Sequence, residues 1–186
     1  MDDDDTHLLD GLRKAEAYLS ERLGVPVEVR ACTTLDEAAL SVFESLDHRA
    51  FKEELWYGRE EIAMKSRRQG FIAFTVHVEG ELAGMLYGYE LDPSTFFLDE
   101  VVSLREGRGV GGSLVRLLIR HCRARDYSVI RLYTEEVDEK GRKLKHFYEG
   151  LGFRVCGSTP KQGIEMCISL DDPHPCEGTH YKLWAE

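Results

Sequence analysis

The sequence has no uninterrupted apolar run approaching the roughly 18–20 residues that a helix needs to cross a bilayer, so a helical membrane span is not expected. Proline is sparse, 5 in 186 residues, and no Gly-x-y period occurs, which excludes a collagen-like rod and a proline-rich disordered chain. Cysteine is equally sparse. Cys32, Cys122, Cys156, Cys167 and Cys176 are odd in number and contain no C-x-x-C pair, so neither a disulfide framework nor a standard zinc site is indicated. They are expected to be reduced and mostly small core residues. Positive charge is in deficit overall: the net charge of −10 argues against a general nucleic-acid binder, whose affinity rests on neutralising phosphates. The opening residues, Met1 followed by Asp2 to Asp5, are the reverse of a basic, apolar secretion signal. A cytoplasmic location with no membrane partner is the expectation.

What remains is an ordinary globule. With 42% hydrophobic and 31% charged residues the chain can bury a core, and its length suits one domain with a short extension. The charge is uneven. Residues 1–104 carry 22 acidic and 10 basic side chains, residues 105–161 carry 7 and 13, and residues 162–186 carry 5 and 1. A cationic stretch inside an anionic protein is either a set of solvated helix faces or a site for a compact polyanion.

Hydrophobic spacing gives the organisation. Leu8, Leu12, Ala15, Leu19 and Leu23 recur every three or four residues, predicting an amphipathic helix stopped by Gly24 and Pro26. Residues 25–31 alternate as a short strand, and Thr34-Leu-Asp-Glu37 reads as a capping box opening the next helix. A further helical stretch breaks near Gly58 and ends by Gly70. The period then falls to two over residues 71–78, 82–91 and 95–103, separated by Glu79-Gly80-Glu81 and Asp92-Pro93-Ser94, which predicts a three-strand antiparallel meander. Helix, strand, helix and two strands follow. The predicted class is α/β, a mixed and partly antiparallel sheet covered by helices, with residues 1–24 as a helical extension, 25–170 as the domain and 171–186 as a tail.

Gly107-Arg-Gly109-Val-Gly111-Gly112 lies between a strand and a helix. Several backbone N–H groups can there converge on an anion at a helix N-terminus, which is pyrophosphate-binding geometry. Gly107, Gly109 and Gly112 also satisfy G-x-G-x-x-G, with Glu135 near the end of the next strand where a ribose-binding acid belongs. A dinucleotide domain is nevertheless disfavoured. The preceding strand carries Asp99 and Glu100, it arrives from an antiparallel meander, and only about 50 residues follow Glu135, too few for the remaining strand-helix units.

The strand, the loop around Gly109 and Gly111, and the downstream segment Phe147-Tyr148-Glu-Gly-Leu-Gly152-Phe153 together resemble the GCN5-related N-acetyltransferase (GNAT) superfamily over roughly residues 27–170. Two positions depart from its pattern. Glu106 stands where an arginine or glutamine opens the loop, with Arg105 and Arg108 as neighbouring cations, and Gly141 stands where an asparagine often precedes the tyrosine-bearing helix. The resemblance implies acetyl-CoA as cosubstrate, with no metal. It places the coenzyme on Gly107, Arg108, Gly109, Val110, Gly111 and Gly112, and on the backbone of Val101 and Val102. It implies Tyr148 as general acid near the sulfur and Glu100 as the carboxylate that takes the amine proton. Phe51, Trp56 and Tyr57 fall where the family builds its acceptor site.

Each assignment has a plainer competitor. Tyr148 could be a core aromatic, Glu100 an edge carboxylate, and the three aromatics simple packing. Asp99 and Glu100, adjacent in a strand, are expected to point to opposite faces, so that at most one meets the acetyl group. His77 reads as a satisfied sheet histidine. His174, Cys176 and His180 lack a fourth partner for a metal. The leading reading is direct acetyl transfer to a primary amine, such as a small amine, a polyamine or a protein amino group, since an acidic surface concentrates cations. The alternative is a non-catalytic acyl-CoA-binding module. Aminoacyl or succinyl transfer on the same scaffold and a homodimeric assembly stay open.

Overall fold

The computed structural model describes residues 3–138 and 140–171. The chain runs α1 (Asp3–Leu23), β1 (Val27–Cys32), α2 (Glu37–Ala50), a 3₁₀ turn (Glu53–Leu55), α3 (Arg59–Lys65), β2 (Ile72–Val78), β3 (Glu81–Asp92), β4 (Thr95–Ser103), α4 (Val110–Ala124), β5 (Val129–Thr134), α5 (Leu144–Glu149), β6 (Arg154–Thr159) and β7 (Gly163–Ser169). The strands form one seven-stranded sheet in the order β1-β2-β3-β4-β5-β7-β6. All neighbours are antiparallel except β4 and β5. The expected mixed sheet with its meander is therefore present, and the single parallel pair rules out a doubly wound dinucleotide domain.

Apolar periodicity decides which helix covers which face. Ala15 and Leu19 of α1 and Val110, Leu114, Leu117 and Leu118 of α4 bury into one cluster with Ile72, Phe74, Leu86, Phe96 and Leu98. Leu40, Phe43 and Leu46 of α2 and Ile62 of α3 cover the opposite face with Ala73, Met85, Tyr87, Tyr89 and Val102. The N-terminal helix is thus built into the core. Its Glu16 and Ser20 side chains also accept the N–H groups of Val29 and Val27 at 2.9 and 3.1 Å, tying it to β1.

Two local expectations need correction. The cap of α2 is Asp36, whose Oδ1 accepts the N–H of Ala39 at 2.8 Å, and the Thr34 capping box does not form; Asp36 sits one residue before the helix and so meets the N3 amide directly. Of the described cysteines only Cys122 is fully buried, Cys32 and Cys167 are half-buried, and Cys156 is exposed at the sheet edge. Cys176 lies outside the described residues.

The geometry that matters most comes from β4. It pairs with β5 only over Thr95–Phe97 against Val129–Arg131, and beyond Phe97 the two strands separate. Residues 98–103 thus keep β3 on one side and leave the other side of their backbone open. A β-bulge falls in the same segment: Tyr87 faces Glu100 and Gly88 faces Leu98, so Asp99 has no partner on β3. Only glycine fits at position 88, since a Cβ there would lie 2.2 Å from the Phe97 carbonyl oxygen.

Candidate active site

The open edge of β4 is where the predicted loop arrives. Leu104 donates its N–H to Ala83 across β3 at 2.9 Å. Because backbone direction alternates along a strand, Val102 also turns toward β3, and Val101 and Ser103 present their N–H groups to the open side. The expectation that Val102 lends its backbone to a ligand is therefore corrected. On the open side it is Ser103 whose N–H stands beside that of Val101, a residue that sequence spacing alone did not single out.

Gly109 forms the N-cap of α4 with φ +89°, and no side chain caps that end. The first backbone bond into the helix is Ser113 N–H to Gly109 O at 2.9 Å. The N–H groups of Val110, Gly111 and Gly112 precede it and have no backbone acceptor among the described residues. A Cβ on Gly111 would stand 3.9 Å from Val101, 3.8 Å from Ser103 and 3.7 Å from Phe147. The loop, the open strand and α5 thus converge around a position with no side chain. That cradle of free donors beside an exposed strand edge fits the diphosphate and amide-rich arm of an acyl-coenzyme A, whose thioester supplies an activated acyl group. Gly109 to Gly112, Val101 and Ser103 would hold it. Arg105 and Arg108 flank the loop, and Glu106 is paired with Arg142 at 2.9 Å, which offsets its charge.

Next to this edge, a cavity of about 130 Å³ is lined by Ala50, Phe51, Val101 to Leu104, Glu106, Lys140 and Arg142. Lys140 closes one side by donating to the Ala50 carbonyl at 2.9 Å. Tyr148, on α5, is half-buried between Phe147 and Phe153, with ring centroids 5.0 and 5.7 Å away. Burial pushes its phenol up to about 12, so it stays protonated near neutral pH.

The bulge overturns the expected opposition of Asp99 and Glu100. Phe96 and Leu98 point to the α1–α4 face and Phe97 to the other; Asp99 and Glu100 then both face α2 and α3, after which Val101 returns to the first face. One extra residue breaks the two-residue alternation. Asp99 is ion-paired with Lys65 at 2.9 Å, the two side chains being 6% and 11% exposed. The Lys65 ammonium lies 3.1 Å from the centre of the Tyr57 ring. Glu100 is buried and accepts the Tyr87 hydroxyl at 2.6 Å through Oε2, while its Oε1 has no partner among the described residues. Burial drives Glu100 up to about 8; Asp47 and Asp99 add to this, and the Tyr87 hydroxyl and Lys65 work against it. Asp47, wholly buried on α2, accepts the Tyr57 N–H at 3.0 Å through Oδ2, and its Oδ1 has no partner among the described residues. Burial raises its carboxyl as well.

Tyr57 therefore belongs to this cluster, whereas Trp56 stacks on His48 at 4.0 Å and bonds the Phe51 carbonyl. Asp47 and Tyr87 escaped sequence reasoning because each sits in an apolar periodic run and reads as core. His77 lies in β2 beside Thr75 Oγ1 at 3.2 Å, an ordinary sheet position. Among the described residues no group of three or more His, Cys, Asp or Glu is placed to hold a metal, and no helix is long and apolar enough to cross a membrane. His174, Cys176 and His180 lie outside the described residues.

A mixed sheet opened beside a helix N-terminus in this way is the acyl-CoA N-acyltransferase fold. The sequence model of the Acetyltransferase (GNAT) family matches residues 34–153, and the chain belongs to that family. Its structure is similar to the ribosomal-protein-S18-alanine N-acetyltransferase from Escherichia coli (16% identity over 76% of this chain and 94% of that one, TM-score 0.62). It is similar also to an aminoglycoside 6′-N-acetyltransferase complexed with coenzyme A (18%, 77% and 97%, TM-score 0.65). A third similar structure is the PaiA N-acetyltransferase from Thermoplasma acidophilum in complex with coenzyme A (15%, 76% and 97%, TM-score 0.62). No curated protein matches the chain by sequence.

Proposed function

We propose that this protein is an acetyl-CoA-dependent N-acetyltransferase that moves the acetyl group directly to a primary amine. The observation that carries the reading is the separation of β4 from β5 after Phe97, which leaves Val101 and Ser103 free to hold an extended ligand arm while Gly109 to Gly112 receive its diphosphate. The two ends of that arm then fall at different chemistries. The anionic end meets unpaired N–H groups and the positive pole of α4. The acyl end is directed toward the face that carries Glu100.

Acetyl transfer requires an amine stripped of its proton, a polarised carbonyl and protonation of the departing sulfur. Glu100 supplies the first. A carboxyl raised to about 8 is a stronger base than an ordinary glutamate, and its unpaired Oε1 is the atom available to a proton, directly or through water. The Tyr87 hydroxyl fixes the other oxygen. The open-side N–H groups of β4 polarise the carbonyl, and Tyr148, with its proton held to about 12, donates to the sulfur.

A cationic acceptor, whether small amine, polyamine or protein amino group, suits the acidic first part of the chain. The solved relatives named for ribosomal-protein and aminoglycoside acetylation support an amine acceptor of this breadth. The test is a screen of amine acceptors with acetyl-CoA, reading release of free thiol. Tight coenzyme A binding with no turnover on any amine would replace this reading with the non-catalytic binding module.

A further inference from the structure

The family match begins at residue 34, so α1 lies outside it, yet α1 reaches the glycine loop. Arg22, in its last turn, donates from Nε to the carbonyl of Arg108 at 3.0 Å and from a terminal nitrogen toward the carbonyl of Gly107 at 3.5 Å. Its stem lies so close behind the loop that a Cβ on Gly109 would stand 3.1 Å from its Cδ and Nε. Among the described residues no other hydrogen bond to these two carbonyls is found. The helix delivering Arg22 is itself fixed: Gly11 packs against Leu117, Arg120 bonds Asp10 at 2.8 Å, and Leu19 is wholly buried.

The consequence follows from the planarity of the peptide. In a trans peptide unit the carbonyl oxygen and the following N–H point in opposite directions. Holding the Arg108 carbonyl toward Arg22 therefore aims the Gly109 N–H away from α1. The guanidinium also places a positive charge against the loop backbone.

We infer that Arg22 is a positioning residue for coenzyme binding: α1 carries it to the back of the glycine loop, where it locks the Arg108–Gly109 peptide with its N–H facing the diphosphate. This rests on the coenzyme reading above, and the wild-type arm of the test separates the two. Calorimetry with coenzyme A should give a Kd weaker by roughly 3- to 10-fold in Arg22→Ala and Arg22→Met, the loss of one charge-assisted bond. Arg22→Lys, which keeps one donor, should recover part of the loss. Turnover at saturating acetyl-CoA should be unchanged. So should kcat/KM with acetyl-pantetheine, which lacks the diphosphate. Amide hydrogen exchange in ligand-free Arg22→Ala should accelerate at residues 107–111 and not in β2 or β3. Equal affinity of wild type and Arg22→Met would overturn the role, as would a matching loss with acetyl-pantetheine or a global rise in exchange. Absence of coenzyme A binding by the wild type would instead remove the coenzyme reading on which the inference stands.

Discussion

The hydroxyl of Tyr87 lies 2.6 Å from Oε2 of Glu100, a bond made across β3 and β4 where the bulge at Asp99 has turned the glutamate inward. Burial pushes the Tyr87 phenol far above its ordinary range, so it keeps the proton that it donates to Oε2. Glu100 thus has one oxygen engaged and one free.

This geometry predicts an acidic limb in kcat/KM with an apparent pKa near 8, the value at which Glu100 gains its charge. Glu100→Gln should abolish the limb and lower kcat/KM by roughly 10²- to 10⁴-fold, the usual worth of a general base. A pH-rate series on both proteins checks it. An unaltered limb in the Gln variant means that the amine arrives already neutral.

The same shift predicts a stability effect of definite sign. Glu100 ionises around 4.5 when unfolded and about 8 when folded, so the folded state keeps a proton that the unfolded state has lost. Its contribution is fully present below about pH 4.5 and is lost as pH rises toward 8. Relative to wild type, Glu100→Gln should be unchanged near pH 4.5 and more stable by on the order of 1–3 kcal/mol above pH 8. Urea unfolding at the two pH values measures this.

Asp47 raises Glu100 by like charge. Asp47→Asn can still accept the Tyr57 N–H, so the site keeps its shape while losing the charge. The acidic limb should move to lower pH with little change in the plateau rate. A limb that stays in place would show that Asp47 holds its proton throughout the range.

Asp99 shares the α3-facing side of the sheet with Glu100. Asp99→Asn leaves Lys65 buried without its close counter-ion, and the Tyr57 ring and Glu61, 3.5 Å away, compensate only in part. The expected loss is about 2–4 kcal/mol, toward the lower end of what breaking a buried pair costs. Thermal unfolding reads it directly, and a Lys65→Met/Asp99→Leu double variant should regain most of the stability.

Two further substitutions divide binding from chemistry. Tyr148→Phe keeps the ring between Phe147 and Phe153, so turnover should fall about 100-fold, the low end of general-acid effects, with coenzyme affinity little altered. Gly111→Leu fills the space bounded by Val101, Ser103 and Phe147. It should abolish coenzyme A binding by calorimetry and leave the melting temperature within a few degrees.

Periodicity and turn residues determined the elements by themselves: the meander appears within one or two residues of its expected bounds, because a two-residue apolar rhythm closed by Glu-Gly-Glu and Asp-Pro-Ser has one local solution. The glycine loop was legible for a similar reason, since a strand-to-helix turn rich in glycine at Gly109 and Gly111 leaves backbone donors free wherever it occurs. The orientation of the carboxylates was not. Asp99 and Glu100 share a face only because Tyr87 pairs with Glu100 while Gly88 pairs with Leu98, a register set by contacts between strands that no reading of β4 alone contains. Asp47 looked like one more position on a covered helix, and it became an electrostatic neighbour of Glu100 only when α2 packed on the sheet. Arg22 was a surface arginine until the packing of α1 on α4 carried it some 85 residues along the chain to the carbonyls of Gly107 and Arg108. Local backbone preference writes elements into sequence, and long-range packing decides which side chains meet.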